Sequence, residues 1–137
     1  MKSKKKLLAT LAALVVVIAA GYGLVLHKGR ITVAAPGALL TLPATTVNLP
    51  NGHLLQVTVA VQFEKGVSTT SLPANSMARM ENAEILALSQ FHYSQLLSAS
   101  GKRAAEASLL GDLRAVVGPG PVGPAVLGIY LTNFVMQ

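Results

Sequence analysis

"VNLPNGHLLQVTVAVQF", residues Val47 to Phe63, alternates apolar and polar side chains over its second half. Leu55, Val57, Val59, Val61 and Phe63 take every other place, with Gln56, Thr58, Ala60 and Gln62 between them. Side chains of a strand point to opposite faces in turn, so this period of two buries one face and leaves the other open. Pro50-Asn51-Gly52 ahead of it is turn chemistry, because Asn and Gly accept the positive φ of a tight reversal. The expectation is a hairpin of Thr45 to Leu49 and His53 to Phe63. The Ser- and Thr-rich segment Gly66 to Pro73 then reads as a loop.

Two helical stretches follow. In "ANSMARMENAEILALSQFHYSQLL" Met77, Met80, Glu84 and Ala87 share one line and Met80, Ala83, Ala87 and Phe91 the next, with Asn75 or Ser76 as N-cap. In "SASGKRAAEASLLGDLRAVVG" the stripe is Ala105, Leu109, Leu113 and Val116, flanked by Leu110 and Val117, and Gly118-Pro119 closes it. Gly111 inside that helix costs about 1 kcal/mol against Ala, which suggests close approach of another element. "GPGPVGPAVLG", 118–128, is a loop, since prolines at that density sustain neither a helix nor a central strand.

The closing segment, Ile129 to Met136, reads as a strand whose alternation breaks: Ile129 and Leu131 share one parity, Phe134 and Met136 the other. A strand buried on both faces explains this, and so does a bulge near Thr132-Asn133. Val57, Val59, Val61, Phe63, Tyr130, Phe134 and Val135 are the expected core-strand residues. The class is α+β, a hairpin, two helices and a terminal strand over residues 45–137.

Upstream, residues 7–26 hold no charge. At about 1.5 Å per residue such a helix spans about 30 Å, the thickness of a bilayer core. Leu7, Leu11, Leu14, Val17, Ile18, Leu24 and Leu26 are its expected membrane-anchor residues. Lys4, Lys5 and Lys6 lie in a short basic tail, residues 1–6, and by the positive-inside rule they set a cytoplasmic amino terminus. A cleaved signal peptide is the competing reading, given Ala19, Ala20, Gly21 and Gly23. Its apolar region is typically shorter than this run, which favours a retained single-pass anchor. Residues 27–44, with Pro36, Gly37 and Pro43, read as an apolar linker, less polar than a flexible one.

The net charge of +6 resides in Lys2, Lys4, Lys5, Lys6, Lys28 and Arg30, and beyond Arg30 five basic residues meet five acids. A nucleic-acid binder carries its excess on the folded domain, so nucleic acid is not an expected partner. The absence of Cys rules out disulfides and thiolate sites. His53 and His92 stand far apart without metal-ligand spacing, and no nucleophile elbow or phosphate loop occurs. No catalytic, cofactor or metal residues are expected, and no small-molecule substrate.

Three segments carry a family resemblance. "VNLPNGHLLQVTVAVQF", "YSQLLSASGKRAAEASLLGDL" and "IYLTNFVMQ" resemble, in order and spacing, the strand pair, the helix–Ser–Gly-Lys–helix junction and the carboxy-terminal strand of the FliL family of flagellar basal-body proteins. The resemblance implies a non-enzymatic, single-pass bacterial inner-membrane protein whose periplasmic domain, residues 45–137, is similar to a stomatin/prohibitin-type domain. It further implies a homo-oligomeric ring around or beside the flagellar stator complex (MotA/MotB type) and the basal-body ring, supporting stator assembly or torque generation. Ile31, Val33, Pro36, Leu39 and Leu40 are then the expected partner contacts. The rival expectation is a membrane-tethered envelope scaffold or binding module of stomatin-like fold unrelated to motility. Mass measurement of the membrane-fraction protein is expected to return the uncleaved chain; a mass lacking roughly the first twenty residues would establish the signal peptide instead.

Overall fold

Asn51 and Gly52 take φ of 68° and 82°, and the chain reverses there. The computed structural model of the protein describes residues 34–120 and 125–137. The apolar run 7–26, Lys4, Lys5, Lys6, Ile31 and Val33 lie outside the described residues. Three strands precede the helices: β1 (Pro36–Thr41), β2 (Thr45–Asn48) and β3 (Leu54–Glu64). Both β1 and β2 run antiparallel to β3, with Thr41 opposite Ala60 and Thr45 opposite Val57. They are therefore two halves of one partner strand, interrupted at Leu42–Ala44. Leu42 keeps the ladder going, its N–H donating to the Val59 carbonyl at 2.8 Å.

The expected hairpin is present, and it is longer than expected on its first arm. Residues 36–41, read from sequence as linker, form the strand β1. Pro is tolerated at the first residue of an edge strand, and Pro43 falls in the interruption where no ladder hydrogen bond is needed. Between Pro36 and Leu39 the register slips. Gly37 lies so close to the Glu64 carbonyl there that a Cβ would clash with it. The Gln62 side-chain amide ties the irregular segment down, donating to the carbonyls of Gly37 and Ala38 at 2.9 and 3.1 Å.

Beyond β3 come α1 (Ser76–Leu88), the single turn α2 (Tyr93–Leu96), α3 (Ala99–Val117) and β4 (Val126–Met136). The first helical stretch thus breaks between Leu88 and Tyr93. A new start is made at His92, whose N–H donates to the Gln95 side chain at 2.8 Å. Ser98 caps α3 by accepting from the Gly101 N–H at 3.0 Å. Gly118, with φ 84°, ends α3 where expected.

β4 lies on the other edge of β3, antiparallel, with two register shifts. Thr58 faces Asn133 and Val59 faces Leu131, leaving Thr132 as the extra residue; Gln62 faces Gly128 and Phe63 faces Val126, leaving Leu127. These bulges account for the broken parity. Met136 and Phe134, then Leu131 and Ile129, then Val126 all sit opposite the odd-numbered residues of β3, so every one turns to the same face. The Thr132 hydroxyl donates to the Thr58 carbonyl at 3.2 Å.

The helices cover that face. Leu55, Val57, Val59, Val61 and Phe63 are wholly buried and share one core with Met80, Ala87, Leu88, Leu96, Ala105, Leu109 and Leu113. The α3 stripe read from sequence is the buried one. Gly111 corrects the reading made of it: nothing lies within 4 Å of the position a Cβ would take. It admits no close neighbour and only weakens the helix. Gly111→Ala is therefore expected to raise stability by about 0.5 to 1 kcal/mol, read as a shift of the denaturation midpoint at unchanged slope.

Candidate functional site

The even-numbered residues of β3 face away from the helices. Leu54, Gln56, Thr58, Ala60 and Gln62 lie opposite Asn48, Thr46, Thr41 and Leu39 on one side and Val135, Asn133, Tyr130 and Gly128 on the other. Glu64, the last residue of β3, shares their parity but is buried, so the exposed residues of this face carry no charge. Its four large apolar side chains are exposed: Leu39 and Tyr130 by 55%, Val135 by 42% and Leu54 by 39%. A single exposed Leu means little, but several on one uncharged sheet face make a surface suited to contact with another molecule.

The other acids and bases lie elsewhere. Arg79, Glu81 and Glu84 are on α1, and Lys102, Arg103, Glu106, Asp112 and Arg114 are on α3. Lys65 follows Glu64 at the end of β3. Arg114 turns inward, Nε and Nη2 donating to the carbonyls of Val126 and Leu127 at 2.8 and 2.9 Å. It thereby takes up the backbone oxygens at the second bulge of β4. Lys102 sits with Nζ 5.3 Å from the centre of the Phe134 ring.

The two histidines among the described residues, His53 and His92, have structural roles. His53 stacks on Tyr93, ring centres 4.3 Å apart, and its Nδ1 is 3.3 Å from the Gln137 carbonyl. His92 caps α2. Among the described residues no three His, Cys, Asp or Glu side chains converge as a metal site would require. A groove on the open face, lined by Thr46, Leu54, Gln56, Val135 and Gln137, measures about 240 Å³, below the roughly 300 to 1,000 Å³ of small-molecule pockets.

Of the residues singled out in sequence, Val57, Val59, Val61 and Phe63 are in the core, and Phe134 packs against it half-buried. Tyr130 and Val135 are corrected: they stand on the open face, because the Thr132 bulge reverses the parity between Leu131 and Phe134. Pro36 is exposed, Leu39 joins the open face and Leu40 packs on the core. Leu54 was missed, although its place one residue before the buried Leu55 puts it on the open side.

A family model described as flagellar basal body-associated protein FliL matches residues 39–137. The chain belongs to the FliL family. Membership carries association with the flagellar basal body, and FliL proteins are accessory proteins of that structure rather than members of a known enzyme family. The match begins at Leu39, so the second half of β1 lies within this FliL chain's family region. No curated protein matches the chain. Among the described residues no helix is long and apolar enough to cross a membrane.

One buried acid of this FliL domain stands apart. Glu84 is wholly buried on α1, and burial, aided by the nearby charge of Glu81, pushes its carboxyl up to about 7 from an ordinary 4.5. The nearby Thr45 hydroxyl opposes the shift only in small part, its proton going to the Pro43 carbonyl at 3.3 Å. The folded chain thus holds this proton more tightly than the unfolded chain does. As pH rises from about 4.5 through 7 the unfolded chain ionises first, and stability falls across that window before levelling off. Between pH 5 and pH 8 the wild-type domain is expected to lose about 2 kcal/mol relative to Glu84→Gln. Parallel denaturation curves for the two proteins at both pH values would contradict this.

Proposed function

We propose that this FliL protein is a single-pass inner-membrane component of the flagellar motor, anchored by residues 7–26 with its amino terminus in the cytoplasm and its folded domain in the periplasm. Copies of the domain stand side by side as a ring around or beside the stator units and support their assembly or torque generation. The observation that carries the reading is the open face of the sheet. Leu39, Leu54, Tyr130 and Val135 are exposed together there with no charge among them, on a domain of a basal-body family. Desolvating such a face loses no ion hydration, so modest contacts suffice to hold a neighbour.

Tethering supports the same reading. Molecules confined to a membrane meet at a high effective concentration, and a contact too weak to hold free partners holds linked ones. Residues 31–44 then lie near the periplasmic side of the stator, with Ile31, Val33, Pro36, Leu39 and Leu40 as contacts. The apolar run 7–26, preceded by Lys4, Lys5 and Lys6, supports the topology.

Affinity purification from native membranes is expected to bring down stator subunits and further copies of the chain. Leu39→Lys with Tyr130→Lys, both at exposed positions, is expected to lose both while the domain still unfolds cooperatively. Swimming that is unchanged on gene deletion, in viscous medium as well as in ordinary medium, would favour an envelope scaffold unrelated to motility.

A further inference from the structure

Two carboxylates among the described residues are buried without a hydrogen-bond partner, Glu64 at the end of β3 and Glu84 on α1, and it is Glu84 that lies on a seam between elements. Neither carboxyl oxygen has a hydrogen-bond partner among the described residues. The helix that carries it packs broadly on α3 and narrowly on β2. From β2, Thr45–Asn48, no titratable group faces it, and Thr45 contributes the one hydroxyl. The face of β3 toward the helices is apolar. On α3, Lys102, Arg103, Glu106, Asp112 and Arg114 leave it unneutralised; Arg114 is spent on the Val126 and Leu127 carbonyls. The charge that does act on it is that of Glu81, one turn back on its own helix, and it repels.

We propose that the proton on Glu84 is a latch on the seam between α1 and β2: with it in place the helix lies against the strand, and its loss releases β2 and the Leu42–Ala44 connection. A neutral carboxyl is tolerated in an apolar seam, whereas an ionised one needs donors or water. Water reaches it at least cost by parting the narrower of the two contacts of α1. β2 is short and stands at an edge, and its pairing with β3 covers only Leu54 to Val57, so it is the cheapest part of the sheet to let go. Release passes through Pro43 to β1, which continues toward the amino-terminal residues. The latch therefore alters how firmly β2 and the connection to β1 are held to β3. Burial sets the working range near neutrality. The device depends on the packing of this domain alone and stands apart from the reading of its partners.

Hydrogen exchange of the full-length chain at pH 6 and pH 8, corrected for the intrinsic pH dependence of exchange, tests the latch. Peptides covering Leu42–Asn48 and Ser76–Leu88 are expected to lose about tenfold in protection at pH 8, while those of α3 and β4 hold theirs. Glu84→Gln is expected to keep the seam protected at both pH values. Glu81→Gln, which removes the repelling charge from a half-buried position, should carry the transition to lower pH. Equal protection of the wild-type seam at the two pH values, an unchanged response in Glu84→Gln, or a loss spread evenly over all elements would each overturn the proposal.

Discussion

Everything else in the domain is arranged around the need to bury one face of a single strand. β3 places Leu55, Val57, Val59, Val61 and Phe63 on that face, and all five are shut off from solvent. At about 25 cal/mol per Å² of apolar surface, each such side chain contributes about 1.5 to 3 kcal/mol, so no other element has comparable weight. The strand satisfies its backbone groups with β1 and β2 on one edge and β4 on the other, and α1 and α3 close over the apolar side. A change that shifted its register by one residue would present Gln56, Thr58 and Gln62 to the helices instead.

The parts of this arrangement that declare themselves in the sequence are those with an unbroken period. The alternation of β3, the turn at Asn51-Gly52 and the stripe Ala105, Leu109, Leu113 are each local and regular. What escapes is whatever depends on a break in the period or on a partner distant in the chain. Residues 36–41 have the Pro and Gly of a linker, and only the edge of β3 makes a strand of them. The parity of β4 could be narrowed to a bulge or a doubly buried strand, and the choice rests on how Thr132 meets Thr58. The open face was illegible for both reasons, because Leu39 comes from the unrecognised strand and Tyr130 and Val135 from the two sides of a bulge. Glu84 fell on the buried line of its helix in sequence, yet a lone carboxylate on such a line gives no sign of whether a partner will reach it.

The chemistry of the domain is correspondingly unequal between its two sides. Charges gather on the helices and at the strand ends, and the other side carries amides, hydroxyls and four bare apolar side chains. An accessory protein of the basal body needs surfaces that meet neighbours at a fixed orientation, and a sheet face supplies a stiffer one than a loop does. The helix side stays hydrated, so the two sides of the domain differ sharply in how much water they give up on contact.

Neither edge of the sheet is a clean template for another strand. The first is cut at Leu42–Ala44 and irregular between Pro36 and Leu39. The second kinks at Leu127 and Thr132, and at the first of these Arg114 already occupies the backbone oxygens. Unpaired edges are how sheet proteins zip into open-ended fibres. Irregular edges of this kind work against that ribbon-like route for crowded copies of the domain, and contacts through side chains can set a curvature and a closing number in a way that a backbone ladder cannot.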